Sequence, residues 1–160
     1  CIDYLVDRYN GEIYLLPFHY QYDYPVIEAV VKYVSHNDSI KIIDKFNRVE
    51  DGLNAIAKLD LFIGMRLHSL IFSVMLSKPI FALEYDLKVR YFMASIGQEE
   101  NLINIENICL DIFKEKIDAL ILDIYNTAAR ITQAQEKLKS KALIGQQFLS
   151  SYLSTPTGYC

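Results

Sequence analysis

The chain predicts an α/β fold of the doubly wound kind, or one half of such a fold: a parallel sheet with helices on both faces. Three observations carry that expectation. Short, continuous apolar runs recur at residues 12–18, 39–44, 60–64 and 79–84, the mark of strands buried on both sides. Single segments with helical spacing of apolar positions separate them, as right-handed β-α-β crossovers require. Each run then exits into polar residues or glycine, and in open parallel sheets ligands sit just beyond the carboxyl ends of the strands.

Residues 3–10 read as the end of a helix that Gly11 stops, and residues 12–18, Glu-Ile-Tyr-Leu-Leu-Pro-Phe, as the first strand. A helix follows over 24–35, with Pro25 in its first turn, where a missing N–H does no harm. Strand 39–44, helix 49–59, strand 60–64, helix 66–76, strand 79–84 and helix 87–96 continue the alternation, and 102–105 adds a short edge strand. A long helical tail runs over 106–152. Ile112, Ile117, Leu120, Ile121, Ile124, Ala128 and Ile131 keep helical spacing in it, while Gly145 and the Ser150-Ser151 pair signal interruption. The expected organisation is therefore a sheet domain over 1–105, a helical tail packed on it over 106–153, and a frayed end over 154–160.

A domain of 160 residues can bury roughly 70% of the surface its unfolded chain exposes. No apolar run approaches the ~20 residues of a membrane span and no secretory leader is visible, so the chain reads as soluble and cytoplasmic. A net charge of −4, with the cations scattered, offers no field for a polyphosphate backbone, and nucleic acid is not an expected partner. Cys1, Cys109 and Cys160 form no C-x-x-C pair and read as incidental thiols, and no metal-ligand spacing occurs. The sequence holds no dinucleotide fingerprint, no Walker loop and no nucleophile elbow, which removes the main support for nicotinamide and nucleoside-triphosphate chemistry.

The residues that follow the strands are the candidates. His19 and Asp23 come after the first, Asp44 and Lys45 after the second, Gly64, Arg66 and His68 after the third, and Glu84, Tyr85, Asp86 and Lys88 after the fourth. Gly64 lets the backbone pass close to a ligand, and the helix that starts beyond it offers free N–H groups to an anion. Arg66 adds a planar fork suited to a carboxylate or phosphate, and His68 an imidazole that can donate a hydrogen bond or pass a proton. Lys88 is either a third cation of the same site or a member of a solvated cluster with Asp86 and Arg90. His19 is a site residue or a loop histidine, and Asp23 a site residue or the N-cap of the helix near Tyr24. The tyrosines at 14, 20, 22 and 24 read as half-buried rings around a sheet edge, with sugar stacking as the other reading.

Two stretches carry a family resemblance: Asp60-Leu-Phe-Ile-Gly-Met-Arg-Leu-His-Ser-Leu-Ile-Phe-Ser and Lys78-Pro-Ile-Phe-Ala-Leu-Glu-Tyr-Asp-Leu-Lys-Val. Together they resemble the C-terminal half of polysaccharide pyruvyl transferases, over about residues 12–105. The resemblance implies a Rossmann-like half of a glycosyltransferase-B-like fold, with transfer of the enolpyruvyl group of phosphoenolpyruvate to a sugar as a pyruvate ketal. It implies that Arg66 and His68 bind phosphoenolpyruvate and act in catalysis. Gly64, Lys88, Tyr85, Glu84, His19 and Asp23 join them as substrate-binding candidates. His68 stays open between phosphate ligand and proton donor. No cofactor is expected, because the donor carries its own leaving group. The expected acceptor is a sugar or lipid-linked saccharide of a bacterial surface or cell-wall polymer, met at the inner face of the membrane. Glu84 departs from the small or neutral residue expected before Tyr85. It faces the sugar, or it signals another donor.

The chain has room for one such half, and its opening helix lacks a preceding strand. An acceptor-binding half is expected upstream, and the 160 residues alone are expected to be inactive. Two other readings stay open: a glycosyltransferase domain with a nucleotide-sugar, Glu84 on the ribose and the Arg66 helix on the diphosphate, and a non-catalytic anion-binding module.

Overall fold

The computed structural model describes residues 1–153; the segment 154–160, expected as a frayed end, lies outside them. Helix α1 spans Ile2–Tyr9 and ends at Asn10, whose left-handed backbone (φ 52°) makes it, rather than Gly11, the stop residue. Strand β1 is Ile13–Leu15, shorter than 12–18 because the chain turns at Pro17 into helix α2, Tyr20–Val31. That helix starts four residues before the expected Tyr24. The His19 N–H donates to the Asp23 carboxylate at 2.7 Å, so Asp23 secures the helix from inside its first turn and is not its N-cap. Pro25 consequently lies within α2, at the cost of one ladder bond.

Strand β2 is Ile40–Ile42, and helix α3, Val49–Ala57, opens with the Asp51 carboxylate accepting from the Arg48 N–H at 3.0 Å. Strand β3 (Phe62–Gly64), helix α4 (Leu67–Met75), strand β4 (Ile80–Glu84), helix α5 (Leu87–Ser95) and strand β5 (Leu102–Asn104) complete the alternation. The tail forms two helices, α6 (Leu110–Leu122) and α7 (Ile124–Leu153). Their break lies at Asp123. Its carboxylate accepts from Arg130 at 2.8 Å, fastening the first turns of α7, whereas Gly145 remains inside that helix.

Strand pairing departs from a single sheet. β1 pairs with β2, and β3, β4 and β5 form a second sheet in that order; every pairing is parallel. β1 and β3 are not hydrogen-bonded to each other, because an apolar cavity of about 1040 Å³ separates their edges.

Helices cover both faces, as expected. On one face Phe81 and Ile103 pack on Phe113, Ile117 and Leu120 of α6, with Tyr4 and Leu5 of α1 against them. The Tyr4 and Tyr9 hydroxyls both donate to Asp118, at 2.7 and 2.6 Å, and pin α1 to α6. The chain leaving α2 is tied to α1, since the Ser35 N–H donates to Asp3 at 2.8 Å and His36 Nε2 lies 2.7 Å from Asp7. On the other face Phe62, Ile80 and Ala82 pack with Ile56 of α3, Leu70 and Val74 of α4, Val89 and Met93 of α5, and Ile131 of α7. Alternate residues of β3 and β4 thus feed opposite cores, and each fully buried aliphatic side chain stabilises the fold by about 1.5–3 kcal/mol. No helix among the described residues is long and apolar enough to cross a membrane.

Candidate functional site

Within each sheet the strands run in one direction, so their carboxyl ends share an edge, and the contact of Arg66 with Asp23 brings the residues that follow β3 to those that follow β1. Gly64 is in register with Ala82, which puts Arg66 and Glu84, each two residues on, at the same level. Gly64 is buried, and a Cβ there would meet the Phe62 ring at 2.3 Å. The ring of its own strand therefore fills the space that glycine leaves.

Arg66 is the N-cap residue of α4, and its side chain turns to Asp23 on α2. Nε donates to the two carboxylate oxygens at 3.0 and 3.1 Å, and Nη2 donates to Oδ1. One edge of the guanidinium is thereby occupied and the Nη1 edge is left over. Burial pushes the Asp23 carboxyl up, but the Arg66 hydrogen bonds, the His19 N–H and the charge of Arg66 outweigh it and hold the group below the usual carboxylate range. Arg66 is pushed above its ordinary value, chiefly by its hydrogen bond to Asp23.

The start of α4 differs from its neighbours at the same edge. Asp23 serves the start of α2, Asp51 that of α3, and Asp86 accepts the Lys88 N–H of α5 at 2.9 Å. Among the described residues no side chain takes the N–H groups of Leu67, His68 or Ser69. Ser69, buried, donates its hydroxyl to Arg66 O at 2.7 Å and so holds the turn on which Arg66 sits. His68 is exposed on this first turn, with no hydrogen-bond or ion-pair partner among the described residues.

The other candidates divide. Tyr85 is partly exposed, close enough to Arg66 to act on its charge, and carries Lys88 Nζ over its ring at 5.3 Å from the centroid. Lys88 also lies 3.3 Å from Asp86, and the Tyr85 hydroxyl, followed by Asp86, raises its pKa. Glu84 is 3% exposed, and Arg90 clamps it with Nε at 2.8 Å and Nη2 at 2.9 Å. His19 is exposed and lies edge-on to Tyr22, 4.6 Å between centroids. The structure thus brings Asp23, Arg66 and Tyr85 together with the open start of α4, and ties Lys88 and Glu84 to partners of their own.

Two of these relations were not foreseen. Asp23 with Arg66 is a contact across 43 positions. Arg90, six residues after Glu84, was read only as a neighbour of Lys88. The open start of α4 agrees with the free N–H groups expected beyond Gly64, and no Ser, Thr, Asp or Asn stands just before Leu67.

Residues 1–86 match the family model for polysaccharide pyruvyl transferase. The match begins earlier than expected and stops short of Lys88, but it takes in His19, Asp23, Gly64, Arg66, His68, Glu84 and Tyr85. Searches of curated proteins and of solved structures found no match. With more than half of its length matched, and the matched part ending in the strand-edge site just described, the chain belongs to the polysaccharide pyruvyl transferase family.

Proposed function

We propose that this chain is the donor-binding half of a ketal-forming pyruvyl transferase, with phosphoenolpyruvate held at the start of α4. The observation that carries the reading is the conjunction of unsatisfied N–H groups at Leu67, His68 and Ser69 with Arg66 and an exposed, unpartnered His68. Helix starts favour anions, and Asp23 fixes the guanidinium so that its Nη1 edge is left for a carboxylate or phosphate.

The chemistry asks for an acid and fixed cations. Protonation of the methylene carbon of phosphoenolpyruvate creates positive charge on the adjacent carbon, where a sugar hydroxyl adds and loses its proton. The bond to the phosphate oxygen breaks and phosphate leaves. A second hydroxyl of the sugar then closes on the same carbon to give the ketal. In this reading Arg66 holds the carboxylate or phosphate, and His68 binds the phosphate or donates the proton. Lys88, in the first turn of α5, and Tyr85, between β4 and α5, approach the phosphate from that side. The sugar, free or lipid-linked, comes from a second α/β half, so the 160 residues by themselves turn over little or nothing.

A nucleotide-sugar reading relied on Glu84 reaching a ribose, and the clamp by Arg90 removes that support. The test is titration calorimetry with phosphoenolpyruvate on the enzyme carrying both halves. Arg66→Ala should weaken binding by about 10- to 150-fold, the worth of one charge-assisted contact of about 1.5–3 kcal/mol. Unchanged affinity in that variant, or tighter retention of a nucleotide-sugar, would overturn the proposal.

A further inference from the structure

Helix α7 is longer than the surface it packs on. It passes along the amino edge of the second sheet: Arg130 Nη2 lies 3.7 Å from Glu100, just before β5, and Gln135 Nε2 donates at 2.7 Å to Met75 O, at the end of α4. Thr127 and Ile131 are buried, and Ala134 and Leu138 pack on the core. Every residue from 139 to 147 is exposed, Leu143 to 50% and Ile144 to 66%. At a rise of 1.5 Å per residue, the stretch from Leu138 to Leu153 extends about 22 Å beyond that packing.

The charges of the chain divide at the same place. Residues 137–160 hold three of its sixteen Lys and Arg residues and none of its twenty Asp and Glu residues, so they carry +3 while the first 136 residues carry −7. Lys137, Lys139 and Lys141 are exposed, with no ion-pair partner among the described residues. Beyond them the sequence runs in pairs. Ile144-Gly145, Phe148-Leu149 and Tyr152-Leu153 are apolar, and Gln146-Gln147 and Ser150-Ser151 between them are polar. On an α-helix a four-residue period gathers one kind along one side and the other kind opposite. The apolar side therefore continues where the core of the domain has ended.

Charge selects what covers it. Cations beside an apolar stripe suit a surface that is anionic outside and apolar beneath, as a bilayer leaflet is. The same segment of a second copy would set +3 against +3. An anionic leaflet also repels a body of −7, which confines contact to this helix.

We infer that residues 137–153 of α7 dock on an anionic lipid surface, the helix lying in its plane with the apolar side toward the acyl chains and Lys137, Lys139 and Lys141 among the headgroups. α4 starts at Arg66 and ends at Met75, where Gln135 holds it, so α7 leaves from the edge opposite the anion site and docking keeps that site open. The inference does not depend on which donor the site takes.

Sedimentation of the 160-residue chain with lipid vesicles tests it, with equimolar phosphatidylglycerol and phosphatidylcholine compared with phosphatidylcholine alone at low ionic strength. The chain should partition at least about tenfold better onto the anionic vesicles, and added salt should remove the preference. Each lysine near such a surface is worth about fivefold, so the triple variant Lys137→Gln, Lys139→Gln, Lys141→Gln should lose about 100-fold. Ile144→Ser should lose about tenfold or more. All four positions are exposed, so the urea midpoints of these variants should match wild type. Equal partition onto the two vesicle types, no partition onto either, or variants that bind as wild type does would overturn the inference. A dimer that Ile144→Ser disperses, with no binding to vesicles, would give the helix to a second copy and would overturn it too.

Discussion

Replacing Asp23 with Ala removes two fastenings at once, and their sizes can be worked from the geometry. The first is the bond from the His19 N–H at 2.7 Å, a helix-start contact whose loss costs about 1 kcal/mol. The second is the fork to Arg66. The side chains of Arg66 and Asp23 are 39% and 21% exposed, which places the pair between surface pairs worth about 0.2–1 kcal/mol and buried charge-assisted bonds worth about 1.5–3 kcal/mol. About 1 kcal/mol is a reasonable middle value, so Asp23→Ala should cost about 2 kcal/mol. In a double-mutant cycle with Arg66→Ala the coupling should be about 1 kcal/mol. The sign of the pH dependence follows from the depressed folded-state pKa of Asp23. Its contribution is present above the ordinary carboxylate value of about 3.9 and is lost as pH falls through the lower folded value. Urea denaturation of wild type and variant at pH 7 and near pH 2.5 measures both effects. The gap between the two proteins should narrow in acid, even though other carboxylates destabilise both. A coupling near zero, or a gap that stays constant with pH, would refute the view that Asp23 fixes Arg66 as a charged pair.

His68→Gln keeps a hydrogen-bond donor but no imidazole to pass a proton; if His68 is the acid, phosphoenolpyruvate binding holds while kcat falls by about 10²- to 10⁴-fold, and if it is only a phosphate ligand both change little. Gly64→Ala should lose about 1–3 kcal/mol by urea titration, because a Cβ lies 2.3 Å from the Phe62 ring; a second change, Phe62→Leu, should recover part of that loss, and no recovery would mean that the ring is not the obstacle. Burial and then Asp118 push the Tyr9 phenol up to about 12, so its contribution to stability is complete below pH ~10 and disappears as pH climbs through 12. The hydrogen bond to Asp118 raises the Tyr4 phenol as well, so ultraviolet titration of tyrosinate should show late phenols that titrate earlier in Asp118→Ala; an unchanged profile would rule out the α1–α6 tie.

How far the sequence carries depends on the range of the interaction. The alternation of apolar runs and helical segments is local, and the expected strands of 39–44, 60–64, 79–84 and 102–105 overlap β2 to β5, although most are trimmed to three residues. The start of α2 was misread because Pro25 is a strong local signal, while the contact that overrides it is the His19 N–H on the Asp23 carboxylate. Gly145 misled in the same way: as a single exposed glycine it costs about 1 kcal/mol, which a long helix tolerates, and the real break falls where Asp123 can serve the next helix. Arg66 and His68 were legible because they stand directly beyond a strand. The pairing of Arg66 with Asp23 was not, since composition gives no means of choosing among carboxylates 43 positions away. The division into two sheets was likewise illegible, because periodicity says which segments are strands and nothing about which edges meet.

These pairings also reorder the candidate cations. Arg66 shares its charge with Asp23, and Lys88 with Asp86 and the Tyr85 ring, so neither stands as an uncompensated positive charge. At the start of α4 the positive potential therefore comes mainly from the main chain. Four helices begin there, and carboxylates already answer the partial charge at the starts of α2, α3 and α5. Among the described residues that leaves the start of α4 for an anion from outside, and its first turn carries His68. A donor phosphate at this turn meets His68 and three N–H groups without breaking any existing contact. To reach Lys88 it would first have to draw the ammonium from Asp86, which returns part of the gain. For the proposed pocket this predicts a larger loss of donor affinity from His68→Ala than from Lys88→Ala, measurable side by side by calorimetry. The reverse order would mean that the phosphate sits over α5 and that the open start of α4 serves the carboxylate.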